Sequence, residues 1–325
     1  MENIFYNIIE GNIRAGWRMG IFTGVLVGMT FAFGMPTRWI MAHTHIIPQF
    51  VAGESVFYAA LLISTWLVAK YLERRPPFSS VGFSLNDNIM RELGQGILIG
   101  GGMMTIIFAT EYSLGMVALS FKPLTLPEMS RLFGASMFIF VMGAAGEELL
   151  FRGYLFQTMV EGTGKIIAVF IFALFFGYAH WKNPNVTTFS LINVGLAGVW
   201  LSIAYFKTRT LWFPIALHFS WNFLQNHIFS FPVSGIQFEK FQLGTLLQSG
   251  PAWLTGGSFG PEGGAMTTVM LVCSGVFIYF SPWIRMSEKV WTREKWKAEK
   301  AAVEIAAQSA ETQSKGMREQ GRGTA

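Results

Sequence analysis

Apolar runs of about 20 residues, the length a helix needs to cross a bilayer, recur along almost the whole chain and constrain it more than any other feature. The chain therefore reads as an all-α, polytopic transmembrane helical bundle of about eight spans. A large soluble core is the alternative, and charge content argues against it. Soluble domains carry roughly 25% charged residues; this chain carries 13%, with 52% hydrophobic and 15% aromatic residues. The expected spans lie near 17–35, 51–71, 93–113, 128–158, 164–181, 187–206, 210–230 and 265–284. The fourth is over-long, so it must tilt or project into water. No internal repeat is visible.

Charges between the spans set an orientation. One side gathers Arg14, Arg18, Lys70, Arg74, Arg75, Arg91, Lys165, Lys207, Arg209 and the cluster from Arg285 to Lys300. The other has Arg38, Lys122, Arg131, Lys182 and Lys240. The positive-inside rule then places both termini in the cytoplasm, which requires an even number of spans. The net charge of +5 is read as orientation and contact with membrane lipid, not nucleic acid. The single cysteine, Cys273, forms no internal disulfide. The start carries Glu2 and Glu10 and is not a clean signal peptide.

The chain divides into 1–126, three spans with a cytoplasmic loop at 73–92; 127–230, a membrane core of spans four to seven; 231–284, an outer loop and the last span; and 285–325, a cytoplasmic tail. The loop "SGPAWLTGGSFGPEGG" (249–264) is too rich in Gly and Pro for a regular helix. It is expected as a turn-rich connector on the outer face. The tail opens as a basic, Trp-bearing amphipathic helix suited to anionic lipid or to water. Its last residues have the composition of a disordered segment.

An ionisable group inside a span is a functional-site hypothesis by default. Span four holds Glu147, Glu148 and Arg152, span five ends on His180, and span seven holds His218 and Asn222. Glu111 and His227 lie near span ends, where they snorkel to water; His43 and His45 read as surface residues. A helix rises about 1.5 Å per residue, which puts Glu147 roughly 22 Å and His180 roughly 27 Å from the turn joining their spans. From the next turn His218 rises about 12 Å and Asn222 about 18 Å, so all four are expected in one layer. Residues four apart share a helix face, which pairs Glu148 with Arg152, Phe176 with His180 and His218 with Asn222. Glu147 points elsewhere. The small residues "GAAG" before it permit close approach by a neighbouring helix.

A carboxylate and a histidine converging in a dry pocket activate water. A second histidine and an amide stabilise a developing oxyanion. The set suffices for amide hydrolysis without a serine or cysteine nucleophile. A metal-assisted route is the alternative: Glu147, His180 and His218 are a catalytic zinc ligand set by type. Read singly, each residue has a plainer explanation. Glu148 with Arg152 is a charge-cancelling pair, Asn222 an interhelical hydrogen bond, and each histidine a packing residue.

"EELLFR" (147–152), "FGYAH" (176–180) and "HFSWN" (218–222) resemble the motifs E-E-x-x-x-R, F-x-x-x-H and H-x-x-x-N of the CPBP intramembrane proteases. This is the CAAX protease and bacteriocin-processing (Abi) family, which includes the type II CAAX prenyl endopeptidases. The resemblance covers about 127–230. "LTGGSFGPEGG" also looks like a segment of bacterial members, hence an expected place in a bacterial inner membrane. The resemblance implies eight helices around an enclosed site. Glu147 would be the base, with His180 assisting; His218 and Asn222 would hold the oxyanion; Glu148, Arg152 and Phe176 would organise the site, with Glu148 a further candidate for direct action. The partner it implies is a peptide or membrane-protein substrate. No cofactor is required on the glutamate-base route, and zinc is the metal candidate on the other. An ion- or proton-coupled transporter and a non-catalytic partner such as an immunity protein are the competing classes.

Overall fold

The computed structural model describes residues 5–7, 12–44, 49–296 and, beyond these, 298, 301–303 and 305–306. A short antiparallel pair, β1 (Tyr6–Asn7) and β2 (Asn12–Ile13), precedes α1 (Ala15–Thr44). Next come α2 (Gln49–Leu67), prolonged by a wider turn over Val68–Leu72, and α3 (Ile89–Ser113). Strand β3 (Val117–Phe121) leads to α4 (Leu126–Arg152), α5 (Tyr154–Thr163), α6 (Lys165–Ala179), α7 (Thr188–Thr208) and α8 (Trp212–Phe223). Helix α8 continues as a wider turn over Leu224–Ile228. Strand β4 (Gly244–Gln248), the short α9 (Ala252–Thr255) and α10 (Ala265–Phe280) complete the described fold.

The fourth apolar run is not one rod. It starts where Thr125 and Glu128 cap each other: the Thr125 backbone N–H and hydroxyl donate to Glu128 Oε2 at 2.8 and 2.7 Å, with Pro127 in the first turn. It breaks at Gly153 (φ −77°, ψ −135°), where a Cβ would overlap the Leu149 carbonyl oxygen. The expected uninterrupted span over 128–158 is thus two helices, and the over-length is resolved by this break.

Among the described residues, five helical segments are long and apolar enough to cross a membrane: 15–39, 53–72, 89–113, 126–163 and 188–208. The expected eight are not reached, for a physical reason. Helices α6 and α10 have 15 and 16 residues, short of the roughly 20 that a lipid-facing span needs. Helix α8 is central and buried on every side, including Phe213, Ile215, Leu217, His218 and Ser220. A helix sheathed by other helices need not match the thickness of the hydrocarbon.

The small sheet also amends the purely helical expectation. Strands β3 and β4 pair antiparallel from Val117 opposite Gln248 to Phe121 opposite Gly244. This ribbon closes one end of the bundle.

Helix α8 packs most closely on α3, and glycines make that possible. A Cβ at Gly100 would overlap the Leu217 carbonyl oxygen and Ser220 Oγ, whereas Gly102, on the opposite face, has open space. Gly100→Ala is therefore expected to destabilise by about 1–3 kcal/mol through overpacking. Gly102→Ala serves as a near-neutral control, both read as thermal melts in detergent.

At the end of the bundle holding the 73–88 loop, an ion network gathers several arginines of the expected positive side. Arg18 Nη1 and Nη2 reach Glu73 at 3.0 Å and Glu161 at 2.7 Å. Arg75 reaches the same two carboxylates at 2.6 and 3.4 Å, and Arg293 also pairs with Glu161. The first tail residues pack on this network: Val290 is buried and the Trp291 N–H donates to Ser84 Oγ at 3.1 Å. The stretch expected to be disordered, 308–325, lies outside the described residues, as does His45.

Candidate active site

One internal cavity of about 900 Å³ is walled by α2, α4, α6, α7, α8 and the loops at 233–241 and 262. Glu147, Phe176, His180, His218 and Asn222 all line it. Glu148 and Arg152 lie directly behind, 0% and 1% exposed. Three separate helices thus bring the sequence-derived residues together.

The two glutamates differ sharply. Glu148 Oε1 accepts from Arg152 Nη1 at 3.0 Å and from His218 Nδ1 at 2.9 Å. Arg152 Nη2 donates to the Gly198 carbonyl at 2.9 Å, and its guanidinium lies 4.8 Å from the centre of the Phe176 ring. The result is a dry chain running Gly198, Arg152, Glu148, His218. A buried ion pair repays its desolvation only with such good geometry and extra hydrogen bonds. Glu147 stands in front of it. Its side chain is 34% exposed and its Oε2, shielded from solvent, has no hydrogen-bond partner among the described residues. That oxygen lies 4.0 Å from His218 Nε2, near enough for charge coupling and too far for a hydrogen bond.

In each histidine the Nδ1 proton is placed on chemical grounds. His180 closes α6, and its Nδ1 faces the Phe176 carbonyl at 2.8 Å. A carbonyl only accepts, so Nδ1 carries the proton and Nε2 is left as an acceptor. His218 Nδ1 faces the Glu148 carboxylate and donates to it in the same way, turning Nε2 towards Glu147. Asn222 lies one turn beyond His218 on α8, on the cavity wall.

Two expectations about neighbours change. The small residues before Glu147 do admit a close neighbour, but it is the ring of Tyr58 on α2, against which a Cβ at Gly146 would collide. Glu111 and His227 do not snorkel. Glu111 is 0% exposed, with neither carboxylate oxygen partnered among the described residues. His227 is buried, with Nδ1 2.9 Å from Ser136 Oγ and 2.6 Å from the Phe241 carbonyl.

Three further cavity residues escaped the sequence reading. Glu54 and Tyr58 share a face of α2 and are hydrogen-bonded to each other, and both lie within electrostatic reach of Glu147. Their spacing of four was a readable signal. Glu262 comes from the Gly/Pro loop, which is not a mere connector. Its Oε2 accepts from the Ser234 N–H at 2.5 Å and hydroxyl at 2.8 Å. Burial raises the Glu262 carboxyl above its ordinary value, while the Ser234 donors and the nearness of His180 and His218 act in the opposite sense.

Among the described residues, no three His, Cys, Asp or Glu groups stand together as a metal-ligand set. The residues present do not fit a preformed three-ligand zinc site.

Several apolar helices of membrane-crossing length, packed around a cavity that holds Glu147, His180 and His218, mark an integral membrane protein. The family model of Rce1-like type II CAAX prenyl endopeptidases matches residues 129–224. That segment runs from α4 to the end of α8 and contains every motif residue, so the resemblance to the CPBP family of CAAX proteases stands over this part of the chain. The match supports a protease. No curated protein and no solved structure matches the chain.

Proposed function

We propose that this protein is an intramembrane endopeptidase of the CPBP type that hydrolyses a peptide bond with water activated by Glu147. The observation that carries the reading is the unpartnered Glu147 oxygen in a cavity shared with His180, His218 and Asn222. Glu147 takes a proton from water as its oxygen adds to the scissile carbonyl carbon. The Nε2 of His180 accepts a hydrogen bond from the same water. The oxyanion is held by the Asn222 amide and by the Nε2–H of a doubly protonated His218, whose Nδ1–H is held by Glu148. Collapse breaks the C–N bond, and the proton on Glu147 passes to the leaving amine nitrogen. Glu148 and Arg152 hold the His218 ring in place.

The substrate is a peptide or membrane protein whose scissile segment enters from the bilayer. We further infer that α6, α8 and α10 complete eight membrane-inserted helices, with both termini cytoplasmic in a bacterial inner membrane. The charge bias along the sequence supports that orientation.

The test is purified protein in liposomes with a fluorogenic peptide library. Cleavage is expected, and it is expected to persist in excess chelator, because no step runs through a metal. Loss of activity that zinc restores would overturn the metal-free mechanism. Ion flux without cleavage would replace the protease reading with transport.

A further inference from the structure

The cavity wall contains a carboxylate that none of the three motifs includes. Glu262 sits in a loop whose shape is heavily specified. Gly256 and Gly260 hold positive φ, where a side chain would overlap neighbouring backbone. Asn193 Nδ2 donates to the Glu262 and Gly264 carbonyls at 2.9 Å each, and Asn193 Oδ1 accepts from Thr268 Oγ1 at 2.7 Å. On the facing turn, Ser234 itself has φ +47°, and Asn183 Nδ2 fixes its carbonyl at 2.8 Å. Two strained turns therefore meet so that Ser234 grips one oxygen of Glu262. Among the described residues, the other oxygen, Oε1, has no hydrogen-bond partner, and Glu262 lines the cavity.

A peptide bond is cut only after its segment has been unwound, which releases backbone N–H groups. Inside a membrane protein each unsatisfied N–H costs several kcal/mol. The lining contains no Lys or Arg among the described residues, and its carboxylates are Glu54, Glu147 and Glu262. Glu54 is engaged by Tyr58, and Glu147 is committed to water in the reading above, on which this inference rests. We propose that Glu262 is a substrate-binding residue whose free carboxylate oxygen accepts a backbone N–H of the unwound segment beside the scissile bond.

The test compares Glu262→Gln, Glu262→Ala and the parent protein. Each is read for cleavage of a neutral peptide and, in a Glu147→Gln background, for binding of the same peptide uncut. Glu262→Ala is expected to raise KM and Kd about tenfold or more with kcat within about threefold, since a hydrogen bond to a charged group supplies that range of discrimination. Glu262→Gln, which keeps an acceptor, is expected to fall between the two. A backbone ester scan then replaces one N–H at a time by oxygen. At one position within two residues of the scissile bond, the ester should weaken binding to the parent about tenfold and leave Glu262→Ala indifferent. Ester and Glu262→Ala losses that multiply at every position would overturn the proposal, as would a Glu262→Ala loss seen in kcat or melting temperature alone. The binding arm separates the two readings. An ester effect that depends on Glu262, without any turnover, would keep this inference and remove the protease. Absence of peptide binding to any form would overturn both.

Discussion

Glu147→Gln is expected to abolish turnover while leaving the fold intact. A positioned general base contributes typically 10²–10⁴-fold to a hydrolytic step, and the amide keeps the shape but cannot take the proton. The structure also predicts why stability is spared. Glu147 makes no hydrogen bond through Oε2 and stands on the cavity wall, one-third exposed. Its removal breaks nothing that holds α4 in place, so the change in folding free energy should stay within about 0.5 kcal/mol. The experiment is a progress curve on the reconstituted variant beside a thermal melt of the same preparation. Full activity in Glu147→Gln would sink the mechanism. Lost activity with a melt lowered by many degrees would show that Glu147 is structural instead.

The reason for that contrast was partly legible in the sequence. The spacing of four predicted a Glu148–Arg152 pair, and the structure has it at 3.0 Å. Helical rise predicted that His180, His218 and Asn222 reach the depth of Glu147, and the three helices do meet around one cavity. What the sequence could not supply was His218 Nδ1 on Glu148, because a hydrogen bond between helices 70 residues apart depends on the rotation of each. Glu262 was invisible for a related reason. A carboxylate in a glycine-rich loop carries no periodicity, and its direction is set by a few glycine dihedrals and by Ser234.

The fold was legible to the same degree. Apolar length and the absence of charge mark a membrane helix well when one side faces lipid, as for α3 and α7. They fail where protein substitutes for lipid. Helix α8 is apolar and only 12 residues long before its turn widens, because its surroundings are other helices. The break at Gly153 illustrates a second limit. Gly153 stands at the junction of α4 and α5, but an isolated glycine is tolerated inside a helical pattern, so only backbone geometry marks the break. The β3–β4 ribbon joins segments more than 120 residues apart, beyond any local pattern.

Arg152→Met is expected to be the most destabilising of the single changes at the site. The guanidinium is 1% exposed and offsets the charge of Glu148, itself fully buried, while also satisfying the Gly198 carbonyl. Removing one partner of a buried pair leaves an uncompensated charge, which costs about 3–5 kcal/mol. Glu148→Gln leaves the opposite charge stranded and should cost a comparable amount. The double variant strands neither. It should recover much of the loss in stability, because Met fills the volume and Gln still accepts from His218. Activity should not return, since a neutral amide cannot offset the charge of a doubly protonated His218 as a carboxylate does. Melts of the two singles and the double in one detergent close a double-mutant cycle, and the expected coupling is large and positive. Purely additive losses would show that Glu148 and Arg152 are not an energetic unit. Restored turnover in the double would show that the charge on Glu148 has no part in catalysis. The outcome expected from the geometry is a stable, inactive protein, in which the charge of Glu148 serves the reaction through His218 while Glu147 meets the water.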